Sequence, residues 1–158
     1  MSQLLGRELT EELFHRLRGD DLASKAGKAI VIVTVDEQDW AHPAMLSYYE
    51  VVAKDRARID LAVGKSSTTA KNLRRTGKIT LLLTDRGANF YVKGSAREIR
   101  ASMEGAPFMA LFRVAVEHLL EDQEPDAVIT SGVTFQRPPK KEVGEIVEKI
   151  FQGVRGEP

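Results

Sequence analysis

Apolar and β-branched residues recur with the two-residue period of β-strands over much of the chain. The clearest run, 28–35, is apolar or β-branched at every position after Lys28, which predicts a strand buried on both faces. Pro43 lies inside the next run and cannot donate a ladder hydrogen bond, so that strand should begin there, form an edge or carry a bulge. Gly94 indicates a bulge or bend in the fifth strand. The six predicted strands are 28–35, 40–53, 58–63, 78–84, 90–100 and 127–137.

Four segments show the signals of helices. Thr10 is a suitable N-cap for a short first helix, and an amphipathic pattern follows the proline pair at 138–139. Pro107 occupies a favourable first helical position, and the apolar residues after it cover more than one face. That helix either packs wholly within its own chain or lies between the barrel and a second subunit. The predicted helices are 10–18, 67–76, 107–121 and 140–153.

The predicted elements define an architecture. Strands at this spacing, mostly joined by tight turns, indicate an antiparallel meander that closes into a barrel. Six strands without a regular strand–helix–strand order argue against a doubly wound fold. The 158 residues fit one domain with a sizeable core. We expect a single domain, 1–158, with an N-terminal helical segment (1–21), a barrel (22–137) that includes helices 67–76 and 107–121, and a C-terminal amphipathic helix (140–153).

Composition narrows the possible functions. The 23 basic and 23 acidic residues leave no net charge, which argues against a nucleic-acid binder that acts through a general basic field. The absence of cysteine excludes disulfides, thiolate catalysis and zinc–thiolate sites, and the three histidines lack metal-ligand spacing. The apolar runs are too short to cross a bilayer, and the first residues lack the order of a signal peptide. We therefore expect a cytoplasmic protein with no metal, membrane or nucleic-acid partner.

One stretch, 64–77, carries the strongest chemical signal. Ser67 or Thr68 can cap the start of its helix, and its final glycine can end that helix in a left-handed conformation. Free N–H groups at a helix start, several hydroxyls and the ammonium groups of Lys65 and Lys71 suit an anion, in particular a phosphate. The alternative is a capped connector helix with solvated lysines and no ligand, since capping alone explains the hydroxyls.

In their order along the chain, these motifs resemble the pyridoxamine 5′-phosphate oxidase-like family, the FMN-binding split barrels. The resemblance covers about 22–137. Three stretches carry it. They are an opening hairpin (29–36 and 42–47), a unit of strand, hydroxyl-rich turn, short helix and strand (59–83), and the strand 89–99. It implies a mainly β fold, a six-stranded antiparallel split β-barrel with flanking helices. It also implies a homodimer that binds two FMN molecules along its interface.

The resemblance further implies which residues bind the cofactor. Lys71 matches the position at which the family places a phosphate-binding basic residue, and Lys65 is a neighbouring candidate cation. Three hydroxyl-bearing residues match the family's phosphate turn, and three residues of the second strand match the segment that borders the flavin ring. These are Ser66, Thr68 and Thr69 for the turn, and Met45, Leu46 and Ser47 for the ring.

The chain also departs from the family's pattern. The second strand lacks the arginine common in the oxidases, and Ala70 stands where the turn usually has the first residue of an Arg-Lys pair. Each missing cationic contact is worth about 1.5–3 kcal/mol when made, and Lys65 and Arg74 are the candidate replacements. The arginine-rich C-terminal substrate signature is absent too, so we do not expect a true pyridoxamine phosphate oxidase.

The resemblance implies an FMN flavoprotein, a small oxidoreductase of unassigned substrate whose chemistry comes from the cofactor. The alternative is a non-catalytic module of the same fold that binds or senses a flavin, a deazaflavin or haem, or that acts through its dimer surface alone. No acid–base pair stands out, so no catalytic residue is assigned. His42 is expected to be structural, with contact to substrate or flavin as the alternative. Trp40, Tyr48 and Tyr49 are expected to pack in the barrel rather than stack on the ring.

Overall fold

The computed structural model describes residues 1–158, and its main feature is one antiparallel β-sheet of eight strands. The strands are β1 (Ser2–Gly6), β2 (Ala29–Val35), β3 (Ala41–Ser47), β4 (Val51–Ala53), β5 (Arg58–Gly64), β6 (Lys78–Asp85), β7 (Ala88–Arg100) and β8 (Met109–Asp122). Their order in the sheet is β3-β2-β6-β7-β8-β5-β4. β1 pairs with the C-terminal end of β8, beyond the part that pairs with β5.

Three α-helices accompany the sheet. α1 (Glu11–Leu17) is capped by Thr10, whose hydroxyl accepts the N–H of Leu13 at 3.2 Å. α2 (Thr68–Thr76) connects β5 to β6, and α3 (Lys141–Gly156) is the last element. None of the three combines the length and the apolar character that crossing a bilayer requires.

The sheet curls around a core of 24 buried residues, to which every strand except β1 contributes. A flat sheet could not direct so many strands toward one cluster. α1 packs into this cluster through Leu13 and Leu17, and α2 through Ala70 and Leu73. The terminal strands β3 and β4 do not pair with each other, so the barrel stays open along one side. The predicted split barrel is therefore confirmed, with eight strands in place of six.

The helix predicted over 107–121 is wrong, because most of this segment forms β8. The prediction relied on apolar residues that cover more than one face. In β8 these residues are divided between two clusters: Phe112 and Val114 face the barrel core, whereas Met109 and Leu111 pack against α3. A strand covered on both faces lacks the polar alternation of a half-exposed strand, so its pattern mimics that of a buried helix. The second face of β8 is covered by α3 of the same chain.

The strand predicted over 127–137 is also wrong. The segment contacts the start of β2, where Val133 O accepts the N–H of Ala29 at 2.9 Å, but it builds no continuous ladder. Its apolar residues do not share a buried face, and Val128 is 76% exposed. The β-branched composition of this segment alone therefore led to a wrong prediction of a strand.

Two further differences concern the first half of the chain. The strand predicted over 40–53 is divided into β3 and β4 by a tight turn, in which the Glu50 N–H donates to Ser47 O at 3.0 Å. The N-terminal segment holds β1 as well as α1. β2 is buried on one face only, contrary to the prediction, because Val31 and Val33 on its outer face are half-exposed. β2 therefore presents apolar side chains on the outer face of the barrel.

Candidate functional site

The first turn of α2 leaves backbone donors free. The Ser67 hydroxyl accepts the N–H of Ala70 at 3.1 Å, which confirms the predicted cap, and the Lys71 N–H bonds the Ser67 carbonyl. The two intervening N–H groups, of Thr68 and Thr69, have no acceptor, as expected at the start of a helix. They point along the helix axis at its positive end, where an anion is favoured.

A pocket of about 280 Å³ lies in front of this turn, between α2 and the β2–β3 hairpin. The ammonium group of Lys71 borders it and makes no hydrogen bond or ion pair with the protein. An ammonium without a protein partner is available to a ligand anion. The lining is polar throughout and consists of Asp36, Glu37, Gln38, Thr68, Lys71 and Asn72.

The hairpin turn on the far side of the pocket is held by hydrogen bonds. One carboxylate oxygen of Asp36 accepts the N–H groups of Gln38 and Trp40, each at 2.9 Å. Arg75 of α2 donates to the carbonyl oxygen of Asp36 and so ties the helix to the turn. The Asp36 carboxylate is therefore engaged within the turn, whereas the exposed Glu37 carboxylate is not and adds negative charge beside Lys71.

β3 is an edge strand with free backbone groups. Hydrogen-bonded and non-hydrogen-bonded pairs alternate along an antiparallel ladder, and the Asp36 N–H bonds Trp40 O at 2.9 Å just before it. Counting from that bond, Pro43 and Met45 fall in non-hydrogen-bonded pairs, with their backbone groups directed away from β2. Pro43 therefore removes no ladder bond, which explains its place in the strand. The N–H and C=O of Met45 remain free for a planar ligand edge.

The three residues predicted to border the ring differ in orientation. Met45 is 65% exposed on the outer face, whereas Leu46 and Ser47 are buried. The Ser47 hydroxyl and N–H both donate to one carboxylate oxygen of Glu50, at 2.8 and 2.6 Å. Any contact between β3 and a ring therefore involves the Met45 side chain or the free backbone edge, since the Ser47 side chain and N–H are engaged.

Lys65 and Arg74, the candidate replacements for the missing arginines, differ in whether they are free to bind a ligand. Arg74 holds Glu98 with two hydrogen bonds, of 2.6 and 3.0 Å, and also donates to the carbonyl oxygen of Lys65. Its guanidinium is therefore engaged. The ammonium of Lys65 and the hydroxyl of Ser66 are exposed at the turn, and Thr69 is buried behind it. Lys65 is the free cation of the two.

Sequence reasoning missed several residues around this site. Asn72 lies one helical turn after Thr68 and is buried against β2, and its polarity within an apolar helix face was the available signal. Trp40 is 71% exposed at the hairpin turn, contrary to the prediction that it packs in the barrel. Tyr48 is buried in the barrel core, as predicted, whereas Tyr49 is half-buried outside that core and packs on Phe151 of α3.

Solved structures share this arrangement of strands and helices. A candidate pyridoxamine 5′-phosphate oxidase of Lactobacillus delbrueckii superposes with a TM-score of 0.59 at 17% identity, covering 75% of this chain and 98% of its own. A Clostridium acetobutylicum protein related to general stress protein 26, of the pyridoxinephosphate oxidase family, reaches 0.53 at 13% identity, covering 73% and 92%. An FMN-binding protein of Syntrophomonas wolfei reaches 0.51 at 17% identity, covering 72% and 91%. The fold is that of the pyridoxamine 5′-phosphate oxidase-like, FMN-binding split barrels.

The sequence has a nearer relative. No protein-family model matches the chain. The uncharacterized protein YclD of Bacillus subtilis is 33% identical over 147 residues, which cover 93% of this chain and 96% of YclD. Within the split-barrel fold, the chain belongs to the same family as YclD.

Proposed function

We propose that this protein is a cytoplasmic homodimer that binds FMN and acts as a small oxidoreductase. The observation that carries the proposal is the open polar corner at the start of α2, where the free N–H groups of Thr68 and Thr69 meet the unpartnered ammonium of Lys71. A doubly charged phosphate monoester suits such a corner, because charge-assisted hydrogen bonds replace its hydration.

Each part of the site has a distinct task in this proposal. The phosphate of FMN is held by the two helix N–H groups, the hydroxyl of Thr68 and Lys71, with Lys65 and Ser66 at the rim of the same turn. The free backbone edge at Met45 on β3 provides hydrogen-bond partners for the polar edge of the ring. Bound FMN supplies hydride or single-electron transfer, while the chain binds and orients it.

The charges at the corner limit the expected affinity. Lys71 is the one ammonium that borders the pocket, and the carboxylate of Glu37 borders it as well. Asp36 contributes less repulsion, since its carboxylate accepts two backbone N–H groups. The residues fit a phosphate in chemistry, but with fewer cations than the family's sequence pattern implies. We therefore expect FMN to bind reversibly.

The proposed dimer rests on an apolar row across the outer face of the barrel. Six residues lie directly opposite one another on successive strands, from β3 through β2, β6, β7 and β8 to β1. All six are exposed or half-exposed. Such a continuous apolar surface favours association, and a two-fold axis would pair it with itself. The row consists of Met45, Val31, Leu82, Tyr91, Leu120 and Leu4.

Sedimentation velocity tests the dimer. The wild-type chain should sediment as two copies at micromolar concentration, and Val31→Lys should sediment as one, because it places a charge within the row, between Met45 and Leu82. Val128→Lys is the matched control, since Val128 is exposed outside the row, and it should remain dimeric. A monomeric wild type, or a dimeric Val31→Lys variant, would reject this interface.

The visible spectrum of the untreated protein tests the cofactor. We expect flavin absorbance, and heat denaturation should release a chromophore that chromatography identifies as FMN rather than riboflavin. Reduction by dithionite under anaerobic conditions should bleach it, and admission of oxygen should restore it. A colourless protein that also fails to take up added FMN would reject the proposal and favour a module that acts through its surface alone.

A further inference from the structure

A second candidate site lies at the other end of β3, around Arg137. The guanidinium donates one hydrogen bond, of 3.1 Å, to the hydroxyl of Ser47, and it lies over the rings of Phe135 and Tyr49, at 4.8 and 5.7 Å from their centroids. It makes no ion pair with any carboxylate of the chain. Arg137 is thus positioned by rings and a hydroxyl, and no carboxylate pairs with it directly.

The carboxylate of Glu50 lies at the same site, but it does not pair with Arg137. One carboxylate oxygen of Glu50 accepts both the N–H and the hydroxyl of Ser47, at 2.6 and 2.8 Å, and the same hydroxyl accepts from Arg137. A guanidinium carries five N–H donors in a planar fork, and one hydrogen bond leaves most of them free. The exposed edge of Arg137 can therefore bind a planar anion through two parallel hydrogen bonds.

Arg137 borders a shallow, open pocket of about 390 Å³. Its wall is fixed by backbone contacts, since the Phe135 N–H donates to Gly27 O at 2.8 Å. Gly27 has a φ of +76°, and a Cβ there would lie 2.8 Å from Phe135 O, so only glycine permits this approach. The pocket is lined by Ala26, Gly27, Tyr49, Phe135, Gln136 and Arg137.

We propose that Arg137 binds the carboxylate of a small organic acid in this pocket. The bidentate fork takes the carboxylate, and the apolar edges of Tyr49 and Phe135 contact the body of the molecule. Ser47, to which Arg137 is bonded, is the last of the three residues matched to the ring segment. The acid would then lie beside the flavin ring as a substrate. This last step rests on the proposed function.

A purely structural role makes a different prediction. Arg137 could serve as a clasp that holds the segment after β8 against the end of β3. Its removal would then lower the melting temperature without affecting any ligand. Binding of a carboxylate probe therefore separates the two roles, and it can be measured whether or not FMN is present.

The test uses 4-fluorobenzoate as the probe, with its 19F transverse relaxation followed during titration of the full-length protein. We expect saturable binding by the wild type, with 4-fluorobenzamide, its neutral counterpart, at least about tenfold weaker. Arg137→Gln should weaken benzoate binding about tenfold, while Arg97→Gln, which removes an exposed arginine elsewhere, should leave it unchanged. Arg137→Lys should fall between, because it keeps the charge and loses the fork.

The outcomes are separable from those for FMN. The titration is run on protein stripped of flavin and on protein saturated with FMN, so a failure to bind FMN leaves the first arm intact. Equal affinity for acid and amide, unchanged binding by Arg137→Gln, or no binding in either arm would overturn the proposal. If Arg137→Gln does not fold, the comparison of acid with amide on the wild type and on Arg137→Lys decides.

Discussion

The side-chain amide of Asn72 donates a 2.9 Å hydrogen bond to the hydroxyl of Thr34, and the two side chains are 2% and 1% exposed. Thr34 lies opposite His42 in the ladder of β2 and β3. The bond therefore ties the helix that carries Lys71 to the hairpin that carries Met45. It is a direct polar link between the two halves of the proposed flavin site.

Asn72→Ala should destabilise the fold and weaken FMN binding together. The buried Thr34 hydroxyl loses its donor, which should lower the free energy of unfolding by about 1–3 kcal/mol in a urea titration. FMN affinity should fall severalfold, because Lys71 is no longer held in place. The double variant Asn72→Leu/Thr34→Val leaves no unpaired polar group and should recover much of the stability. An Asn72→Ala variant as stable as the wild type would contradict this role.

Glu98 should make stability depend on pH in the acid range. Its hydrogen bonds from Arg74 lower its pKa from the usual 4.5. A carboxyl group whose pKa is lower in the folded than in the unfolded state contributes its full stabilisation above the pKa of the unfolded state. This stabilisation is lost as the pH falls through the pKa of the folded state. Glu98→Gln should therefore reduce stability by about 1 kcal/mol or less at neutral pH and flatten its decline below about pH 4.5. Glu37→Gln, which removes an unpaired surface carboxylate, is the control. It should change neither the stability at neutral pH nor the decline of stability in acid.

Two glycines should respond in opposite ways to alanine. At Gly94, beside a register shift between β7 and β8, a Cβ would lie 2.3 Å from Ala115 O, so Gly94→Ala must displace backbone and should cost at least about 2 kcal/mol. At Gly144, in α3, a Cβ meets nothing within 4 Å, so alanine should stabilise by up to about 1 kcal/mol. Thermal unfolding of both variants checks the pair. A tolerated Gly94→Ala would mean that the bulge can relax.

Glu37 should oppose the binding of an anion. Its carboxylate borders the same pocket as Lys71, so Glu37→Gln should tighten FMN binding about two- to threefold at low salt. Because the group is exposed, the gain should shrink at high ionic strength. An FMN titration at two salt concentrations measures this. Weaker binding by Glu37→Gln would place the phosphate elsewhere.

The sequence was most informative where a local rule determines structure. Ser67 and Gly77 bound α2 as predicted, because capping and left-handed termination depend on single residue types. Gly94 marks the predicted irregularity in β7. The fold was recognised from the order of three stretches, 29–47, 59–83 and 89–99, and not from the helix start at 64–77 alone.

The sequence was least informative where burial depends on distant parts of the chain. β8 resembled a helix because α3, which covers its second face, is a separate element that begins 19 residues after β8 ends. Segment 127–137 has strand-like composition but no buried face. Arg137 gave no signal and Trp40 was wrongly predicted to be packed in the barrel, because the exposure and neighbours of each depend on the tertiary fold.

The central claim is that FMN binds at the start of α2, and a fluorescence titration of FMN tests it most directly. The account predicts saturable quenching by the wild type and an affinity about ten- to a hundredfold weaker for Lys71→Ala, since a charge-assisted hydrogen bond is lost. Lys78→Ala, an exposed lysine outside this corner, should bind like the wild type. No saturable quenching by the wild type, or equal affinities for the wild type and Lys71→Ala, would contradict the account.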